Sequence, residues 1–86
     1  MQKSLYTPEQ VEFQKLLRQL RKDANLTQLA LAEKLQVAPS RISEYEKSGR
    51  RMDVLQLRLY CRAVGITLRD FVNRLENALE NLPQSN

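Results

Sequence analysis

Between Arg41 and Arg62, six basic side chains (Arg41, Lys47, Arg50, Arg51, Arg58 and Arg62) stand against three acidic ones (Glu44, Glu46 and Asp53). Cationic groups at that density attract a polyanion, because each contact releases counterions from it. Ser40, Arg41, Ser43 and Glu44 add a run of side chains able to hydrogen-bond phosphate oxygens or base edges. Further along, Glu76 and Glu80 give the last predicted helix an acidic outer face, so the charge is unevenly distributed. Other chemistry is poorly supplied. There is no histidine, and the carboxylates have no partners suited to acid–base or metal work, so no enzyme, metal or cofactor is expected. The single cysteine, Cys61, builds neither an internal disulfide nor a zinc site. It lies on an inward helix face, where packing is expected and redox sensing is not.

The elements that position these groups are helical. At 86 residues the chain is read as one compact domain with little interior left for an enclosed pocket. Its 42% hydrophobic content is too high for wholesale disorder, while two glycines, three prolines and no alternating β-branched runs favour helices. The net charge of +4 and pI near 9.6 are by themselves a modest hint of an anionic partner. No stretch is apolar enough to span a bilayer and the N-terminus carries no apolar signal core, so no membrane partner and a cytoplasmic location are expected.

Five helices are predicted, within a domain spanning residues 7–82, between a flexible start (1–6) and a flexible tail (83–86). Thr7 and Gln10 form a capping box around Pro8, ahead of Phe13, Leu16, Leu17, Leu20 and Ala24 at core-facing spacing. Asn25 suits the left-handed stop. Thr27 caps a short helix, Gln28 to Leu35, with Leu31, Ala32 and Leu35 inward. After Gln36-Val37-Ala38, Pro39 opens a third helix to about Lys47, with Ile42 and Tyr45 inward and Glu46 beside them. Lys47 to Met52 reads as a basic loop. Asp53 caps a fourth helix (Leu57, Tyr60, Cys61 and Val64 inward) that stops at Gly65, and Thr67 with Asp70 opens a fifth that Pro83 ends.

Two short helices joined by a tight turn in a basic all-helical domain suit the DNA major groove. The ordered set Thr27-Gln28-Leu29-Ala30-Leu31-Ala32-Glu33-Lys34-Leu35, Val37, and Ser40-Arg41-Ile42-Ser43-Glu44-Tyr45-Glu46 resembles the phage-repressor-type (Cro/Xre) helix-turn-helix family. Leu17 to Arg21 upstream and Leu57, Ala63, Val64-Gly65 and Leu68 downstream extend the likeness over roughly residues 13–72. The resemblance implies an all-α, compact five-helix domain of the lambda-repressor-like type, with a helix-turn-helix at about 27–47. It also implies sequence-specific binding of double-stranded operator DNA.

By that resemblance, base contacts fall mainly at Pro39, Ser40 and Glu44, with Arg41 and Ser43 nearby. Arg41 can fork onto guanine or hold a phosphate, and Glu44 can accept from cytosine N4. Both can equally form a solvated surface pair. Thr27 and Gln28, at a helix N-terminus, are assigned to a backbone phosphate, together with Lys47, Arg50 and Arg51. A solvated first-turn side chain is the plainer reading of Gln28, as a solvated face is for Arg58 and Arg62. The resemblance also makes Arg21 and Glu46 a partly buried structural ion pair. Two positions depart from the family pattern: Gln36 stands where glycine is usual, and Ala38 where Ser or Thr caps.

One such module touches few base pairs, so a homodimer on a palindromic site is expected. Val72, Leu75, Leu79 and Leu82 of the fifth helix (67–82) are the expected dimer contact, unless that stripe packs only on the first helix. A phage-type repressor, a restriction-modification controller and an antitoxin with a toxin or other regulator as protein partner all fit. The rival class is a protein-interaction adaptor, which would need an exposed apolar patch outside the dimer contact.

Overall fold

The computed structural model describes residues 7–82, so the expected loose ends at 1–6 and 83–86 lie outside the described residues. Five α-helices follow in order: α1 Pro8–Asp23, α2 Gln28–Leu35, α3 Pro39–Ser43, α4 Val54–Val64 and α5 Leu68–Glu80. A π-helical turn, Glu44–Ser48, continues α3. No strand occurs among the described residues. The helices meet around Leu17, Leu31, Ile42, Tyr60, Cys61 and Phe71, all fully buried. Phe13 stands edge-on to Phe71 at 5.8 Å, which docks α5 on α1. Burial pushes the Cys61 thiol up to about 11, in keeping with an inert packing role.

The caps form where their residue types predicted, with one difference in detail. Thr7, Thr27 and Thr67 each accept the backbone N–H three residues on, at 2.9–3.0 Å. The reciprocal box predicted at Thr7 and Thr67 shows only this hydroxyl half. At Thr67 the reason is visible, since the Asp70 carboxylate is drawn instead to Arg74 at 3.2 Å. The two-way box forms at Asp53 and Gln56, with both bonds at 2.8 Å.

The segment after Ser43 departs from expectation. Lys47 and Ser48 remain helical, so the basic loop begins only at Gly49. Tyr45 and Glu46 are both buried and hold this last turn against α1, while Gly49 (φ 72°) closes it by placing its own and Arg50's N–H on the Glu44 carbonyl.

Gln36 ends α2 in the left-handed region (φ 58°, ψ 46°), where a Cβ is strained. Gln36→Gly is therefore expected to stabilise the domain by about 1 kcal/mol. Thermal melting would show this as a rise of about 4–8 °C. An unchanged midpoint would mean that the turn carries no such strain.

Candidate nucleic-acid interface

The interface is built on α2 and α3, and its foundation is a buried polar cluster. Arg21 donates from Nε to Glu46 Oε2 at 2.8 Å and from Nη2 to Oε1 at 3.1 Å. Its Nη1 holds the Leu26 carbonyl at 2.8 Å, pinning the chain between α1 and α2. The Tyr60 hydroxyl lies 3.0 Å from Glu46 Oε2 and 2.9 Å from the Leu17 carbonyl, sharing its proton between them. Gln28 Nε2 donates to Glu46 Oε1 at 3.2 Å. Helices α1, α2 and α4 and the end of the α3 segment thus converge on one carboxylate.

Burial pushes the Glu46 carboxyl up, but hydrogen bonds from Arg21, Gln28 and Tyr60 outweigh it and hold the group below its ordinary value. The hydrogen bond to Glu46 raises Arg21 in turn, and burial followed by the Glu46 charge raises Tyr60, which stays protonated. No buried side-chain polar atom among the described residues lacks a partner. This cluster locks the angle between α2 and α3 to the rest of the fold.

On that frame the N-terminal end of α3 faces outward. Pro39 and Ser40 are exposed, and Arg41, Ser43 and Glu44 are half-buried. Ala38 gives no side-chain cap, as its type foretold, and Pro39 takes the first helical position. Arg41 sits on the flank, where with Tyr45, Met52 and Leu59 it lines a shallow apolar groove between α3 and α4. Lys47, Arg50 and Arg51 are exposed beyond the helix end. Arg50 pairs with Glu44 at 3.0 Å, so a candidate phosphate anchor neutralises a candidate base reader. Thr27 spends its acceptor on capping α2, and Gln28 turns one amide proton inward and keeps the other free.

Of the expected dimer residues, Val72 is 46% exposed, Leu75 packs on the core, and Leu79 and Leu82 are half-buried. Two features were not anticipated from sequence. One is the part of Tyr60 in the buried cluster, whose only signal was a phenol at a core position. The other is the exposure of Val54, Leu55 and Leu59 on α4, at 65%, 72% and 57%.

The helix-turn-helix family pattern matches residues 17–71, spanning the whole of this frame. The chain belongs to the Cro/Xre helix-turn-helix family. Members are DNA-binding transcription regulators by type. Among solved structures, an XRE-family like protein from Pseudomonas syringae pv. tomato is 33% identical (TM-score 0.66; 77% of this chain and 84% of that one). The clp gene regulator ClgR of C. glutamicum is 25% identical (TM-score 0.73; 88% and 97%). The restriction-modification controller protein C.Esp1396I shares the fold at 18% identity (TM-score 0.79; 90% and 100%). No curated protein sequence matches the chain. Among the described residues, no helix is long and apolar enough to cross a membrane, and no group of residues is suited to hold a metal ion.

Proposed function

We propose that the protein is a sequence-specific transcriptional regulator that binds operator DNA as a homodimer. The observation that carries this reading is the outward N-terminal end of α3, bordered by exposed Lys47, Arg50 and Arg51 and held by the Arg21–Glu46 pair. C.Esp1396I, which shares the fold, is described bound to a 25-base-pair operator and as a tetramer on a 35-base-pair operator. Pro39, Ser40, Arg41, Ser43 and Glu44 form the reading set, while Thr27, Gln28, Lys47, Arg50 and Arg51 hold backbone phosphates. Arg21 and Glu46 take no part in contact.

Selection from random duplexes, followed by mobility shifts over a salt series, tests this. The expected result is an enriched pseudo-palindrome whose half-sites lie about 34 Å apart, one turn of DNA. Salt-sensitive binding with no enriched sequence would overturn the regulator reading. In the same assay Arg41→Ala relaxes base preference if its guanidinium forks onto guanine. It weakens all sites alike if that group holds a phosphate.

A second reading is favoured by one observation. Val54, Leu55 and Leu59 form an exposed apolar patch away from α5, the feature an adaptor requires. A chain that is monomeric and indifferent to duplex DNA would support that reading.

A further inference from the structure

On α4, Leu55, Arg58, Leu59 and Arg62 fall at i, i+3, i+4 and i+7, forming one outward stripe in which apolar and cationic side chains alternate. On α5, Val72, Glu76 and Glu80 follow at i, i+4 and i+8, an outward edge with one apolar and two anionic members. All seven side chains are exposed, and Leu55 and Leu59 are more than half so. Among the described residues, none of Arg58, Arg62, Glu76 and Glu80 has an ion-pair partner within the chain. Between the two elements lies an open hollow of about 510 Å³, lined by Arg58, Arg62, Ile66, Arg69 and Val72 among others.

We infer that a second copy of the chain covers this face, with the Val72–Glu76–Glu80 edge of one protomer seated on the Leu55–Arg58–Leu59–Arg62 stripe of the other. The inference rests on the homodimer reading above and relocates its contact. The stripe expected from sequence is partly consumed at home, because Leu75 packs on the core. A two-fold interface must be complementary to itself, with each element of the pair meeting the other twice. This face satisfies that condition. It carries a cationic and an anionic element side by side, and a half-turn exchanges them, so that leucines meet valine and arginines meet glutamates. An acidic peptide from another protein fits less well, since Glu76 and Glu80 border the basic hollow and would repel it. Contact of Arg58 and Arg62 with DNA phosphates would leave Leu55 and Leu59 in water.

Charge exchange tests the arrangement. Arg58→Glu/Arg62→Glu makes both elements acidic, and Glu76→Arg/Glu80→Arg makes both basic. Each variant alone is expected to self-associate at least about a hundredfold more weakly than the wild type in sedimentation equilibrium. Their equimolar mixture restores a dimer, because both contacts in the heterodimer are again of opposite charge. The four positions are exposed, and circular dichroism melts confirm that each variant folds. If the wild type dimerises and both variants do so equally well, the contact lies elsewhere and this inference fails while the homodimer reading stands. If the wild type is monomeric at high micromolar concentration, both fail. If Arg58→Glu/Arg62→Glu abolishes DNA binding but leaves the dimer intact, the arginines serve phosphates and the inference is overturned.

Discussion

Arg21→Met is expected to cost about 3–5 kcal/mol, a large share of the stability of a domain this small. The loss comes from what remains behind. The Glu46 side chain is wholly inaccessible to solvent, and without the guanidinium it keeps only the Gln28 and Tyr60 donors against the cost of its burial. Urea denaturation of the wild type and variant at neutral pH measures the difference. The double variant Arg21→Met/Glu46→Leu should recover most of it, since an apolar pair of similar size leaves no buried charge. A double variant as unstable as the single one would mean that shape, and not the charge, is what Arg21 supplies.

The same pair predicts a pH dependence. In the wild type the Glu46 carboxyl is held below its unfolded value, so its stabilisation is present above that value and is lost as pH falls through the folded one. In Arg21→Met, burial loses its strongest opponent and the carboxyl rises, so acidification relieves that variant. The gap between the two proteins should be widest near neutral pH and narrow as pH falls through the ordinary carboxylate range, around 4. A gap independent of pH would exclude the ionised pair as its source.

The second large effect concerns DNA. Replacing Lys47, Arg50 and Arg51 together by alanine should weaken binding to all duplexes alike, because phosphate contacts carry no sequence information. The slope of log K against log salt should become shallower by about 3, close to one for each lost contact. Among the single variants, Arg50→Ala should lose most. Its guanidinium also neutralises Glu44, and removing it exposes a bare carboxylate to the phosphates. Mobility shifts at several salt concentrations read both quantities. An unchanged slope in the triple variant would remove these residues from the phosphate contact set.

These experiments divide along the line between local and long-range information. The helix starts were legible because capping is local: Thr7, Thr27, Asp53 and Thr67 each reach a backbone N–H only three residues away. The inward positions of Leu17, Leu31, Ile42 and Phe71 were legible because helical periodicity reports which face is buried. The left-handed ends at Asn25 (φ 61°) and Gln36 were legible for the same local reason, even though glutamine is a strained choice. The family pattern, an ordered set of types and spacings over residues 17–71, carried the fold and the Arg21–Glu46 pair with it.

Contacts between residues distant in sequence were not legible. Tyr60 joins Glu46 and the Leu17 carbonyl across 14 and 43 residues, and no local spacing distinguishes such a phenol from ordinary core packing. The π-helical turn after Ser43, the inward bond of Gln28 and the Arg50–Glu44 pair arise only once α1, α3 and the following loop are packed together. By itself, then, the sequence determined five helices, their caps and inward faces, and a basic helix-turn-helix, because short-range sterics and periodicity decide those. Only the tertiary structure decided which polar groups share a buried carboxylate and which apolar side chains stay in water on α4, because burial is a property of several elements at once.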